Sequence, residues 1–193
     1  MINKDFAIFI LTHGRADNVV TYRTLKRTNY SGKIYFIVDD TDSQLEKYRE
    51  NFGKENVISF SKKEIVKTFD VMDNLDNDKT IIYARNACFE IAKNLGIKYF
   101  MELDDDYTDF AYRYNRKLEF CHVAMFRFDE VLDTLLEYYK SIPAKSIAMA
   151  QGEDFIGGDN GFAFSITRMR KCMNSFICST DRPFKFIGKL MKM

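Results

Sequence analysis

Three consecutive carboxylates, Asp104-Asp105-Asp106, follow the apolar run Lys98-Tyr-Phe-Met-Glu-Leu103 and are the residues of this chain best placed to do chemistry. The run reads as a short buried strand that releases the triplet at its carboxyl end. If the backbone stays extended, side chains alternate, so Asp104 and Asp106 share one side and Asp105 takes the other. Crowded like charges need water, a donor or a cation to stay ionised at neutral pH. Two same-side carboxylates suit a hard divalent cation such as Mg²⁺ or Mn²⁺. An acidic triplet by itself is more often a solvated turn, so the elements around it decide its meaning.

Those elements alternate. Phe6 to Leu11 is a continuous apolar run of the kind covered on both faces of a sheet, and Thr12-His13-Gly14-Arg15 follows as a polar loop. Asp17 can cap a helix to about Thr28, ended by Ser31-Gly32. Lys33 to Val38 reads as the second strand, closed by Asp39-Asp40-Thr41-Asp42. Ser43 with Glu46 and Ser61 with Glu64 are capping-box pairs on either side of a third strand, Asn56 to Phe60. Ala84, Ala87, Cys88, Ile91, Ala92 and Leu95 form a helical stripe, and Gly96 sits where a left-handed C-cap belongs. This order predicts an α/β fold with a mostly parallel central sheet and helices on both faces. Ligands of such sheets bind beyond the carboxyl ends of the strands. Three of those ends carry Thr12 to Arg15, Asp39 to Asp42 and Asp104 to Asp106.

The second half is less regular. Phe128 to Tyr139 has the spacing of an amphipathic helix that ends before Pro143. Ser146 to Ala150 and Phe162 to Ile166 read as strands around a glycine-rich loop, Gln151 to Gly161. At 193 residues the chain reads as one domain, with a nucleotide-binding half over 1–106 and an acceptor-side half over 107–193. A net charge of +1 offers no global attraction to nucleic acid or membrane, so any polyanion contact must come from local clustering. The four cysteines, Cys88, Cys121, Cys172 and Cys178, form no CxxC pair and read as free thiols of a reducing cytoplasm. The first apolar run is too short to cross a bilayer, and no membrane association is expected.

With this order in view, residues Ala7 to Asp106 resemble the GT-A class of nucleotide-sugar-dependent glycosyltransferases. Ile8-Phe-Ile-Leu-Thr-His-Gly-Arg15 is similar to that class's first strand and nucleotide loop. Ile37-Val-Asp-Asp40 is similar to its second strand with an acidic end, Arg85-Asn-Ala87 to its ARN-type helix start, and Leu103-Asp-Asp-Asp106 to its DxD motif. The resemblance implies a nucleotide-diphosphate sugar as donor, a uridine diphosphate sugar first among them. It also implies a divalent cation, Mn²⁺ or Mg²⁺, held on the diphosphate by Asp104 and Asp106. Thr12, Arg15, Asp39, Arg85, Asp104 and Asp105 are implied as nucleotide-binding residues. His13 reads as loop structure.

Within GT-A the chain is most similar to phage-type enzymes that glycosylate hydroxymethylated bases in DNA. This implies a DNA acceptor and a place in the cytoplasm, the host's if the chain is phage-encoded. Tyr107, Tyr112 and Tyr114 interleaved with Arg113, Arg116 and Lys117 fit such an acceptor, as does the basic tail from Arg168 to Lys192.

The chain departs from the pattern late. No acidic residue follows Asp181 and no histidine follows His122, so truncation of the acceptor-side half is expected. Glu153, Asp154 and Asp159 remain as candidates for the base that deprotonates an acceptor hydroxyl. The competing readings are a sugar-nucleotide-binding fold without transfer, and a nucleotidyltransferase. The latter wants a richer triphosphate loop than Thr12 to Arg15 supplies. A Rossmann dehydrogenase is a weaker reading still, since no GxGxxG follows the first strand.

Overall fold

Strand β1 (Phe6–Leu11) is buried along its whole length, and the remaining architecture is arranged about it. The computed structural model describes residues 4–70, 81–151 and 174–187. After β1 come α1 (Val20–Arg27), β2 (Lys33–Asp39), α2 (Leu45–Phe52), β3 (Val57–Phe60), α3 (Lys62–Ile65), α4 (Ile82–Asn94) and β4 (Tyr99–Asp104). A hairpin, β5 (Ala111–Tyr114) and β6 (Phe120–Ala124), precedes α5 (Phe128–Ser141) and β7 (Ser175–Ser179).

The main sheet has the order β3-β2-β1-β4-β7. Its first four strands are parallel and β7 runs antiparallel at the edge beside β4. The alternation along β1 divides the core into two layers. Phe6, Ile8 and Ile10 pack with Leu25 of α1, Tyr48 of α2 and Phe128, Leu132 and Leu136 of α5. Ala7, Phe9 and Leu11 pack with Ile65 of α3 and Ile82, Ala87 and Ile91 of α4. A strand apolar on both faces has only this central place, as its sequence demanded. The expected α/β sheet with helices on both faces is the one observed.

The helix ends differ in detail from the expectation. Asp17 does not cap α1; it pairs with Lys47, and the helix begins at Val20. Asn29, at φ 59°, ends α1 ahead of Ser31-Gly32, with Tyr30 N–H donating to Leu25 O and Asn29 N–H to Lys26 O. Gly96, at φ 67°, ends α4 in the same way through Ile97 N–H to Ala92 O and Gly96 N–H to Lys93 O. Neither capping box closes, since no side-chain cap bond forms at α2 or α3. Asp42 instead accepts the Gln44 N–H at 2.8 Å, which starts α2 one residue later than the box requires.

Further on, Ser146 to Ala150 contributes only a bridge from Ile147 to Ile177, while the expected strand Phe162 to Ile166 lies outside the described residues. β7 and the β5–β6 hairpin have no counterpart in the sequence reading. Arg182, read as part of a basic tail that fits a DNA acceptor, closes the end of α5 instead. Its Nη1 donates to the carbonyls of Tyr139, Ile142 and Ala144, and its guanidinium lies 4.9 Å from the Tyr139 ring centroid.

Space is open around the position of a Cβ at Gly96, so only the backbone resists substitution there. Gly96→Ala should therefore cost about 1–2 kcal/mol in denaturant unfolding. Asn29→Gly, at the equivalent point of α1, should change stability by less than about 0.5 kcal/mol.

Candidate functional site

The chain passes from β1 through β2 to β3, then returns across β1 to form β4 on its other side. The carboxyl ends of β1 and β4 therefore flank the switch point, where doubly wound sheets leave a crevice. Register pairs Leu11 with Asp104, so the loop after β1 lies against the acidic triplet. Asp105 joins the two. It accepts from Thr12 Oγ1 at 2.7 Å and from Arg15 Nη1 at 2.8 Å. Since the single Thr12 hydroxyl proton goes to Asp105, Tyr48 must donate its own to Thr12 Oγ1, 2.8 Å away. Tyr48 in turn accepts the Arg15 backbone N–H at 2.8 Å. The relay ties β1, α2 and β4 together. Two residues of α1 complete it. Thr21 donates to Asp104 O at 2.6 Å and accepts the Tyr107 N–H at 2.9 Å, while Thr24 donates to Tyr107 O at 2.8 Å.

Asp104 faces the other layer. Its Oδ1 accepts from Arg85 Nη2 at 2.9 Å. Arg85 is 1% exposed, so it is neither a surface salt bridge nor in a position to touch a diphosphate directly. Its guanidinium lies against the rings of Phe176 and Phe186, 4.7 and 5.7 Å from their centroids. Glu102, wholly buried on the same side of β4, approaches Arg85 only to 3.8 Å, and among the described residues only the weakly donating Cys88 thiol stands beside its carboxyl.

One dry cation cannot neutralise two carboxylates. Burial pushes the Glu102 pKa up to about 8 against the pull of Arg85, so at neutral pH it is held as the acid. Asp104, pushed up by burial to about 6 with Arg85 opposing and Asp106 and Asp105 adding to the rise, stays mostly ionised. Removing one partner of such a buried pair costs on the order of 3–5 kcal/mol.

The strand ends at Asp104 and the backbone turns at Asp105 and Asp106, so the alternation expected of an extended triplet holds only for its first two members. Asp106 is exposed, yet its charge raises the Asp104 pKa more than that of Asp105 does. Among the described residues, Asp104 Oδ2 and Asp106 have no hydrogen-bond or ion-pair partner. Nor do any three His, Cys, Asp or Glu side chains there cluster closely enough to hold a metal ion. Two carboxylates fit a hard cation that takes the rest of its roughly six oxygens from phosphate and water.

Asp39, expected to touch the nucleotide, is already saturated. Thr41 donates its N–H to Oδ1 at 3.0 Å and its hydroxyl to the same atom, while His13 Nδ1 and Lys62 Nζ lie 2.7 and 3.2 Å from Oδ2. Burial works to raise the Asp39 pKa, but the donors Thr41, Lys62 and His13 outweigh it and hold the carboxyl below its ordinary value. An ionised carboxylate only accepts, so His13 carries its proton on Nδ1 and, when neutral, presents Nε2 as an acceptor. Gly14, at φ 67°, lets the loop turn so that its N–H donates to Asp42 Oδ2 at 2.7 Å.

His13, Tyr48, Thr21, Thr24 and Glu102 are the members of this edge that sequence reasoning missed as site residues. Glu102 alone left a signal, an acid inside an apolar strand. Glu153, Asp154 and Asp159 lie outside the described residues. A cavity of about 420 Å³ opens along α4, among Thr68, Asn86, Phe89, Lys93, Pro183 and Lys185, and none of the site residues lines it. No helix among the described residues is long and apolar enough to cross a membrane.

A Rossmann-like sheet of this kind places its ligand site beyond the carboxyl ends of the strands, at the switch point where these residues meet. A family model described as TET-associated glycosyltransferase matches residues 6–192. The chain belongs to this family and is a glycosyltransferase. No curated protein and no solved structure matches it.

The Glu102 pKa, about 8 in the fold against an ordinary 4.5, sets a sign for stability. Between those values the folded chain holds a proton that the unfolded chain has released, so Glu102 makes stability fall as pH rises and the fall ends above about 8. In metal-free buffer Glu102→Gln should remove this contribution. Its denaturation midpoint should gain on wild type steadily from pH 6 to pH 8, and parallel curves would contradict the assignment.

Proposed function

We propose that this glycosyltransferase takes its sugar from a nucleotide-diphosphate sugar, a uridine diphosphate sugar foremost, in a GT-A arrangement that depends on a divalent cation. Asp104 and Asp106 would hold the cation, Mn²⁺ or Mg²⁺. Once bound, it would stabilise the negative charge that grows on the departing diphosphate as the sugar–oxygen bond breaks. The observation that carries this reading is Asp104 itself, with one oxygen taken by buried Arg85 at 2.9 Å, at the end of the strand beside the switch point. A carboxylate kept ionised there, with a second one two residues on, supports a cation site over a plain solvated turn.

The chain's own residues would divide the remaining work. Arg15 is half exposed and anchored through Asp105, so it is placed to meet phosphate oxygens at the mouth of the crevice. Thr12 holds that anchor in register. Arg85 would act through Asp104. Asp39 would act through His13, whose Nε2 faces outward to accept from the nucleobase or ribose. For an inverting course, the base that deprotonates the acceptor would come from Glu153, Asp154 or Asp159. The acceptor we propose is the hydroxyl of a hydroxymethylated base in DNA. The aromatic and basic residues from Tyr107 to Lys117, which follow directly from the acidic turn, support it.

Release of nucleoside diphosphate from a panel of sugar nucleotides tests the reading. Asp104→Asn and Asp106→Asn should each reduce turnover by about a hundredfold or more. Chelation should abolish wild-type activity and added Mn²⁺ restore it. Full turnover in both variants, or in the presence of chelator, would exclude a role for the pair in catalysis. His13→Ala should raise the donor KM several-fold with a smaller change in kcat, and the reverse split would move His13 from donor binding to the chemical step.

A further inference from the structure

We infer that Asn86 is a positioning residue of this transferase: its side-chain amide clasps the segment that follows β7 and so keeps water away from Arg85. The kinetic consequence rests on the site proposed at Asp104, but the clasp itself can be tested without donor or metal.

The need for a cover comes from Arg85. Its Nη2 is spent on Asp104 at 2.9 Å, yet Nε and Nη1, both buried, have no hydrogen-bond partner among the described residues. Such N–H groups draw water strongly, since a guanidinium has five donors and no acceptor of its own. Water admitted there would compete for the bond to Asp104. What faces the cation instead is the ring pair of Phe176 and Phe186. Phe176 is fixed by β7, in register with Glu102 of β4. Phe186 has no strand to hold it, for Pro183 to Ile187 form no regular element.

Asn86, the neighbour of Arg85 on α4, stands in for that strand. Its Nδ2 donates to Phe186 O and its Oδ1 accepts the Phe186 N–H, both at 2.9 Å. One side-chain amide thus satisfies both backbone groups of one residue, as an adjoining strand would. Asn86 is 2% exposed. Asparagine is a weak helix former and costly to bury unpaired, so the two bonds account for its place inside α4.

The rest of the segment is held more loosely. Arg182 anchors its start on carbonyls beyond α5, and Phe184 meets Phe89 edge-on at 5.2 Å. Ring contacts allow sliding, whereas two directional bonds fix the register of Phe186. Asn86, Pro183 and Lys185 also line the cavity of about 420 Å³ along α4, so open volume adjoins the clasp. A segment released from Asn86 has room to move, and water then has a way to Arg85.

The test is exchange of the Arg85 Nε–H proton with solvent, followed by isotope-edited NMR on the full chain without metal or donor. Loss of the signal in Arg85→Lys assigns it. Asn86→Leu keeps the volume and removes both bonds, and should speed this exchange about tenfold or more. Phe186→Leu leaves the backbone bonds in place, puts folding at less risk and should act in the same direction. The double variant should exchange no faster than the quicker single one, because both act through one ring. Lys185→Ala removes an exposed side chain of the same segment and its bond to Thr68. It should stay within about twofold of wild type. In turnover assays the Mn²⁺ concentration for half-maximal rate should rise about tenfold in Asn86→Leu and Phe186→Leu. A mere loss of folded protein would lower the rate and leave that concentration unchanged.

Wild-type exchange in either single variant, effects that multiply in the double variant, or an equal effect of Lys185→Ala would each overturn the inference. Faster exchange with an unchanged Mn²⁺ requirement would also overturn it, reducing Asn86 to a structural staple. Wild-type turnover that needs no divalent cation would instead count against the cation reading, and the exchange rates would still decide whether Asn86 keeps Arg85 dry.

Discussion

One buried guanidinium organises the active edge of this protein. Arg85 enters the sheet layer from the first turn of α4 and meets a strand that carries two acids on its inner side, Glu102 and Asp104. A single positive charge in a dry layer supports a single negative one. The carboxyl nearer to solvent takes that role and the deeper one keeps its proton. An acid at the strand end is thereby held ionised and aimed, while Phe176 of β7 and Phe186 close over the cation. The antiparallel edge strand is thus part of the site's support as well as of the sheet.

The other side of the triplet rests on hydroxyls. Thr12, Tyr48, Thr21 and Thr24 pass hydrogen bonds between β1, α2, α1 and the turn after β4, so the loop bearing His13 and Arg15 cannot shift without breaking bonds to Asp105 or to the strand end. Short buried hydroxyl contacts of this kind set positions closely at little electrostatic cost. A transferase needs such stiffness where its substrates are to be oriented, because misplacement by an ångström can cost a large part of the rate.

Much of this was visible in the residues taken one after another. An uninterrupted apolar strand, helical stripes between short strands, and polar residues at three strand ends pointed to a parallel sheet with a working edge. What escaped were features that need two distant segments. β7 reads as a cysteine-bearing apolar stretch in a basic tail until β4 is there to pair with it. Arg182 reads as surface charge until the open carbonyls of α5 arrive beneath it. The capping boxes had the right letters, but Asp42 takes the Gln44 N–H and the helix starts one residue later. His13 looked idle because its partners, Asp39 and Asp42, lie at the end of another strand.

By itself, the order of residues determined the layering of the fold and the edge at which the acids emerge, since periodicity and burial are local properties of each segment. Tertiary structure alone decided which acid is ionised, which arginine is buried and which histidine nitrogen faces outward. Each of those depends on how much water and how many opposite charges surround a group, and that is settled only when strands remote in sequence come to lie side by side.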